Sequence, residues 1–526
     1  MILNLLDGAL GELCSRKRRA AVCTLGGEDK GRTGCRERIM MLHFYRVLLR
    51  GARAIDLVAV CGIVKSRSKV NNIILLKGSV HMDFDVIYIG SGHACWHGAL
   101  ILLRAGKKVA FAEHDVVGGT CTNYGCDAKI VLDGPFEYLS GLARYQGLCV
   151  DGQTELDWGR LMSYKEQQIA PLSVGMEQGF TRAGLTFLKG ETFLKDAHIV
   201  TVDGKDYTAE YIVIGTGQRD EAPNIPGREY LHTSREFLSI KDMPQRIVFI
   251  GAGVISMEFA SMALLMGRQV TIIEFADRAL LAYPKKYVEQ LVRKMEAQGA
   301  VFRFGEGVKE AVKTDHGYLV RTAGGFEVET DYILSATGRA ANVEGLGLGA
   351  LGIEASRRGI RVNAYMQTAV PNIYASGDVV DKAIPRLTPT AEFESNYIAG
   401  HILGNPATIE YPAIPNLTFT LPRIAQVGVS VDEAEKKPER YRLGNIPYGK
   451  SMLWLAKNDP DLDITVIFDQ DGYLVGAAAY GDNAGMFIDV LTIIIGQKIK
   501  GENLRKLIFA FPTETYGLLS PLSTMF

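Results

Sequence analysis

The chain has 526 residues, 47% of them hydrophobic and 22% charged, with 57 glycines, which is enough to bury several cores and to divide into several domains. A net charge of −1 gives no whole-chain case for binding nucleic acid or a membrane. Eight cysteines spread over so long a chain argue against a secreted disulfide framework and point to a reducing cytoplasm.

Charge is unevenly spread. Residues 1–81 hold 15 Lys and Arg against 6 Asp and Glu, a net of +9, which leaves the remaining 445 residues at −10. The apolar run LVAVCGIV, Leu57 to Val64, is too short to cross a bilayer, which takes about 20 residues, and no span is evident elsewhere. Asp7, Glu12, Glu28, Asp29 and Glu37 argue against an Arg-rich transit peptide. The codons of Lys77-Gly78-Ser79-Val80-His81 can read as a purine-rich ribosome-binding stretch ahead of Met82. A start at Met82 is therefore expected, with 1–81 a non-native or disordered basic extension; a genuine basic extension is the alternative.

From Asp83 the pattern changes. FDVIYIG is a buried-strand run, HACWHGALILLRAG an apolar helix and KKVAFAE a second strand, together one βαβ unit. Gly90 permits the tight turn, and Gly92 lets the backbone approach a pyrophosphate at the helix N-terminus. Glu113 closes the second strand 21 residues beyond Gly92, where a ribose hydroxyl needs an acceptor. The third glycine position is Cys95, and a plain glycine-rich turn is the competing reading. The same grammar recurs in RIVFIGAGVISMEFASMALLMGRQVTIIEFADR, with Gly251, Gly253 and, again 21 residues on, Glu274. Two such units imply two dinucleotides. YILSATGRAANVEGLGL and PNIYASGDVV are strand-to-glycine segments ending in Gly338 and Gly377-Asp378, and beyond Gly404-Asn405-Pro406 the strands NLTFT and ITVIFD and the helix FIDVLTIIIGQ read as an α+β domain.

Directly after the first βαβ unit stands GGTCTNYGCDAK, Gly118 to Lys129. Zinc is one reading of Cys121 and Cys126, but a structural site usually takes four ligands and no second CxxC or paired His lies nearby. Inert buried thiols are another. Against both stands the position, because the pair follows a dinucleotide unit and can begin a helix, whose N-terminus lowers thiol pKa. On an ideal helix residues five apart are separated by about 7.5 Å of rise, beyond the roughly 4.4–6.8 Å between Cα atoms that a disulfide spans. The turn must be distorted, and Gly125 is placed to allow it. An accessible, strained disulfide is readily reduced, which suits catalysis better than stapling.

Residues 82–526 resemble the FAD-containing pyridine nucleotide-disulfide oxidoreductases, a family that includes dihydrolipoamide dehydrogenase, glutathione reductase and mercuric reductase. The resemblance rests on VIYIGSGHA, GGTCTNYGC, IVIGTGQR, IGAGVISMEFA, ATGRAANVEGLGL, NIYASGDV, LTPTAE and VGVSVDEAE. It implies an α/β protein with two Rossmann-like dinucleotide-binding domains, for FAD and NAD(P), and a C-terminal α+β dimerisation domain. The corresponding boundaries are 82–232 and 351–405 for FAD, 233–350 for NAD(P) and 406–526 for dimerisation. It further implies FAD contacts at Gly90, Gly92, Glu113, Gly119, Thr120, Thr216, Gly217 and Asp378, nicotinamide contacts at Gly251, Gly253, Glu274 and Gly338, Cys126 facing the flavin and Cys121 exchanging with substrate. Glu258 matches the glutamate that pairs with a lysine beside the flavin. Lys129 is its partner here, although Cys126 to Lys129 is one residue shorter than the usual GCxPSK spacing.

One departure bears on chemistry. The family carries His-Pro-Thr followed by Glu near its carboxy terminus, a dyad that serves as acid and base for the partner subunit's cysteines. Here the segment reads Phe511-Pro512-Thr513-Glu514-Thr515-Tyr516, with Phe511 at the histidine and Tyr516 at the glutamate, and Glu514 and Tyr516 are the available substitutes. If Phe511-Pro512 keeps the family's geometry, its peptide bond is expected to be cis. The expectation is an NADH-favouring homodimer that passes electrons through FAD and Cys121–Cys126 to a small-molecule disulfide or other thiol-reactive acceptor, with no metal, nucleic acid or membrane. A reductase of a metal ion or reactive oxidant, which needs no histidine because a thiolate pair binds a soft ion directly, and a slow-turnover redox sensor are the alternatives.

Overall fold

The computed structural model describes residues 82–152 and 155–526; the expectation about 1–81 lies outside them. Strand β1 (Phe84–Ile89), helix α1 (His93–Arg104) and strand β2 (Val109–Glu113) form the first βαβ unit. Helix α2 (Gly119–Tyr124) and helix α3 (Cys126–Ala143) follow, then the long helix α4 (Trp158–Ala183), strand β3 (Thr186–Lys189) and strand β4 (Lys205–Ile214). The parallel order is β3-β2-β1-β4. Val86, Ile87, Tyr88, Val109, Ala110 and Phe111 are all fully buried, because helices cover both faces of a parallel sheet and leave no solvent side for polar residues.

A second parallel sheet is built from β5 (Arg246–Ile250), β6 (Gln269–Glu274), β7 (Val301–Phe304) and β8 (Tyr332–Ser335), in the order β7-β6-β5-β8. Helix α5 (Val254–Leu265) crosses from β5 to β6. It is buried nearly all round, from Ser256 to Leu264, which is why its sequence shows no polar stripe. The chain then returns to the first sheet, where strand β9 (Ile373–Ala375) lies parallel to β4, with Ile373 opposite Ile212. Helix α6 (Thr388–Ile402) follows and packs along α1. The order 3-2-1-4 with the added β9 sets the carboxyl ends of β1, β4 and β9 side by side, where doubly wound sheets bind their ligands.

The last unit is an antiparallel sheet of β10 (Asn416–Thr418), β11 (Ile424–Gly428), β12 (Tyr441–Ile446), β13 (Asp463–Asp469) and β14 (Leu474–Tyr480), ordered β10-β11-β14-β13-β12. Helices α7 (Ala484–Gly496) and α8 (Glu514–Ser523) complete it. Its core gathers Trp454, Phe468, Phe487, Leu491 and Leu518. Phe511, Ile508, Leu507, Ile493 and Met452 remain exposed. Among the described residues no helix is long and apolar enough to cross a membrane.

Candidate active site

The two glycine cradles are built alike. Gly90 follows β1 with φ +104°, and a Cβ there would meet the carbonyl oxygen of Gly215 at 2.7 Å; Gly251 follows β5 with φ +96° and would meet that of Ala336 at 2.6 Å. Each turn thus lies against the strand-to-glycine segment of its own sheet, Thr216–Gly217 in the first and Gly338 in the second. Asn342 ties the two segments, donating through Nδ2 to the Thr216 carbonyl at 2.9 Å and accepting at its own carbonyl from Thr216 Oγ1 at 2.7 Å. In the first cradle a Cβ at Gly119 would approach Gly92 Cα to 2.9 Å, so the cysteine segment touches the turn. Cys95 fits at the third position because Gly215 has no side chain; a Cβ there would lie 2.2 Å from the Cys95 sulfur.

The acidic residues close both cradles. Glu113 accepts from Ser91 Oγ at 2.6 Å and from the amides of His114 and Asp115. Glu274 accepts from the Ala252 amide at 2.6 Å and the Ala276 amide at 2.8 Å. These bonds aim each carboxylate at its glycine turn and leave further lone-pair sites for a ribose hydroxyl. Asp378 is half-buried in a single helical turn, Gly377–Val379, beyond β9. Bare backbone at Gly90, Gly92 and Gly119, a helix start and an anchored carboxylate fit a dinucleotide, and the second cradle fits one equally.

Cys121 lies in α2, and Cys126 begins α3. Gly125 separates them with φ −140° and ψ −118°, outside helical geometry. A Cβ there would meet the Thr120 carbonyl oxygen at 2.8 Å and Cys121 Cα at 3.1 Å, so glycine is required for the chain to fold one cysteine back on the other. Thr120 itself is exposed. Both thiols are free, Cys121 half-buried and Cys126 exposed.

The two sulfurs differ in chemistry. A hydrogen bond from Cys121, then one from Thr388, then the Lys129 charge push Cys126 down to about 6 against the opposing effect of burial. Donating that bond pushes Cys121 well up, and burial adds to it. Thr388 Oγ1 is 3.5 Å from Cys126 Sγ and stands at the first turn of α6. The thiolate therefore sits where two helices, α3 and α6, begin, and both macrodipoles favour negative charge there.

Lys129 reaches Glu258 despite the shortened spacing. Its Nζ lies 2.8 Å from Glu258 Oε2, with Glu258 almost fully buried. Glu258 Oε1 accepts from the Phe419 amide at 2.8 Å, and the ammonium lies 4.1 Å from the Phe419 ring centroid. Removing one member of such a pair leaves an uncompensated buried charge. Glu258→Ala is expected to cost about 3 kcal/mol or more of stability, measured by urea unfolding, while Lys129→Met should raise the pH at which Cys126 loses its proton, measured by thiolate absorbance.

Behind Phe419 lies a group that sequence reasoning missed. Arg423, buried, meets Asp133 at 2.7 Å and Glu137 at 2.8 Å, and stacks 4.7 Å from the same ring. Thr388 was also missed as a partner of Cys126, although LTPTAE marked its neighbourhood.

The carboxy-terminal segment holds no imidazole. Phe511–Pro512 is cis, as expected. Phe511 is 70% exposed and meets Tyr516 edge to face, with ring centroids 5.0 Å apart. Glu514 is paired with Lys457, and that hydrogen bond holds its carboxyl below the usual range, so it is poorly suited to take a proton from a thiol. Among the described residues no group of three or more His, Cys, Asp or Glu is arranged to hold a metal ion.

Comparison with known proteins agrees with this geometry. Residues 84–395 match the pyridine nucleotide-disulphide oxidoreductase family, and residues 414–517 match the dimerisation domain of that family. A dihydrolipoyl dehydrogenase of Chlamydia pneumoniae is 30% identical, over 82% of this chain and 94% of its own length. One of Geobacillus stearothermophilus is 28% identical, over 84% and 95%. A mercuric reductase of Staphylococcus aureus is 29% identical, over 83% and 81%.

Proposed function

The chain belongs to the pyridine nucleotide-disulphide oxidoreductase family, and we propose that it is an NAD(P)H-dependent flavoprotein that reduces a small-molecule disulfide through Cys121 and Cys126 without the His–Glu base. The observation that carries this reading is geometric: Gly125 folds Cys121 back on Cys126, and Cys126 begins α3 beside Thr388 at the first turn of α6 and one turn before the Lys129–Glu258 pair. FAD in the first cradle supplies two-electron transfer between NAD(P)H and the cysteine pair. Residues 82–232 with 351–405 hold it, 233–350 hold the nicotinamide dinucleotide, and 406–526 form a homodimer.

The chain's own residues then act in order. Cys121 gives up its proton to solvent and attacks one sulfur of the acceptor, forming a mixed disulfide and expelling the first thiolate. The Cys126 thiolate attacks Cys121, expels the second thiolate and closes the Cys121–Cys126 disulfide. Two water protons complete the two product thiols. Lys129, fixed by Glu258, and the Thr388 hydroxyl hold the charge on Cys126 between these steps.

Anaerobic NADH titration of the purified protein followed by an acceptor panel tests the reading. Two electrons are expected to enter beyond those that FAD alone takes up, and a disulfide should reoxidise the protein. Stoichiometric reduction of FAD alone would reject it. A second reading, reduction of a soft metal ion or reactive oxidant, is favoured by Phe511, which offers no proton acceptor; mercuric ion and hypochlorite in the panel distinguish it.

NADH is the expected donor. The Glu274 carboxylate accepts from a ribose 2′-OH and repels a 2′-phosphate. Arg278, the nearby cation, is committed elsewhere, to Asp432 at 3.3 Å and to the carbonyls of Leu281 and Tyr283. Glu274→Ala should lower kcat/KM for NADH about tenfold, the worth of about 1.4 kcal/mol for a charged hydrogen bond, and leave NADPH less affected. A higher kcat/KM with NADPH in the unaltered protein would overturn this.

A further inference from the structure

Helix α1 begins with a row of three titratable groups that the thiol chemistry does not use. His93, its first residue, is adjacent to Gly92 of the FAD cradle, and its Nδ1 lies 3.1 Å from Nε2 of His97, one turn along. Nδ1 of His97 lies 3.4 Å from Oε1 of Glu392 on α6. The His97 ring is held in place by Trp96, stacked with centroids 3.5 Å apart.

Chemistry fixes the hydrogens along this row. A carboxylate only accepts, so the nearby Glu392 charge favours the His97 tautomer with its proton on Nδ1. Neutral His97 then presents a lone pair at Nε2, which accepts from Nδ1–H of His93. That leaves Nε2 of a neutral His93 without a proton, on the first residue of a helix whose amides would receive the diphosphate of a bound FAD. A lone pair beside phosphate oxygens is repulsive, and one added proton makes it a charge-assisted donor.

We propose that FAD binding is linked to proton uptake through this row: the diphosphate holds on His93 a proton, taken from solvent, that the row without FAD does not carry, with His97 and Glu392 as positioning residues. The inference rests on the reading that FAD occupies the first cradle. Burial pushes His93 down to about 4 and, with the His93 charge adding to it, His97 down to about 3, so without FAD both imidazoles are neutral at physiological pH.

The other titratable groups on the elements packed against α1 do not replace that proton. Helix α6 brings Glu392, and also Glu394, which is tied to Lys382 and Tyr411. The turn after β9 brings Asp378, β2 brings Glu113, and β1 brings Tyr88, whose hydroxyl burial pushes well up. Cys95 on α1 itself is likewise pushed up by burial. Helix α4 contributes the apolar Phe180 beside Trp96.

The sign follows from linkage. The His93 pKa is raised by the diphosphate, so the added affinity is full below the FAD-free value near 4, falls by about tenfold per unit as pH rises from there, and is gone above the FAD-bound value.

The test uses the holoenzyme. Phosphorus NMR of its bound FAD is followed from about pH 5.5 to about 9.5, and FAD release on dilution is timed by recovery of flavin fluorescence. Expected are a titration of the diphosphate resonances and release that quickens about tenfold per unit across one span of that range. His93→Gln should abolish both, and Glu392→Gln should move the midpoint to lower pH. If His93→Gln does not retain FAD, His97→Gln and the titration of the unaltered protein decide. Resonances and release rates that do not vary with pH would overturn the linkage, as would a titration unchanged in both histidine variants. Failure of the purified protein to hold FAD at all would instead reject the reading on which it rests.

Discussion

Replacing Cys126 with serine is expected to remove the long-wavelength absorbance that a thiolate gives beside an oxidised flavin, whereas Cys121→Ser should keep it and lower turnover by more than about 10³-fold. The difference follows from the hydrogen-bond direction between the sulfurs. Cys121 donates and Cys126 accepts, which pushes Cys126 down to about 6 and Cys121 up. A serine hydroxyl at 121 still donates, so the thiolate at 126 survives, but no sulfur remains to attack the acceptor. A serine at 126 leaves nothing that ionises near neutral pH. In the unaltered protein reduced by two electrons, the absorbance should be full above the Cys126 pKa and fade as pH falls through about 6, because protonation removes the donor. Spectra of both variants after anaerobic reduction check this, and loss of the absorbance in Cys121→Ser would reverse the assignment of the two sulfurs.

Much of the cradle architecture is legible in the sequence because local constraints write it there. Gly90 and Gly251 are glycines since each turn runs against a carbonyl of a neighbouring strand, and Glu113 and Glu274 recur at one spacing because a strand–helix–strand unit has a set length. Cys121 and Cys126 are readable for the same reason, with Gly125 marking the break between them. Contacts that tertiary folding alone creates are not readable. Thr388 is 262 residues from Cys126 in the chain, and no pattern at either end announces the pair. The same holds for Arg423 with Asp133 and for His97 with Glu392. The shortened spacing before Lys129 put its pairing with Glu258 in question, yet the first turn of α3 brings the ammonium within 2.8 Å of the carboxylate. Helix α4 gives little notice of itself, since Pro171, Gly175 and Gly179 interrupt a sequence of mixed polarity; packing, not propensity, holds it.

The unaltered protein is expected to reduce glutathione disulfide or lipoamide slowly, with an optimum displaced upward from neutrality. By the sequence resemblance Phe511 and Tyr516 fall at the positions of the family's histidine and glutamate, and the phenyl ring of Phe511 offers no proton acceptor. Glu514, the nearest carboxylate in sequence, is held ionised by Lys457. Cys121 must then lose its proton to solvent. Its pKa is raised by the bond it donates to Cys126, so the rate should climb as pH rises towards and past the free-thiol value of about 8.5. A positioned base is normally worth on the order of 10²–10⁴ in rate, and that is the deficit expected at neutral pH. Phe511→His alone should recover little, since Tyr516 cannot orient an imidazole or stabilise its charge as a carboxylate does. Phe511→His combined with Tyr516→Glu should recover on the order of tenfold or more and bring the optimum down, because a histidine of ordinary pKa accepts the proton near neutrality. Because the base would come from the partner subunit, a mixed dimer of the double variant with a Cys121→Ser protein should lose the recovered turnover, since its intact cysteines face Phe511 and its new base faces a serine. Rates with a common disulfide that are already high and flat from about pH 6.5 to about 8 would show that another group has taken over the proton, and the double substitution would then slow the protein.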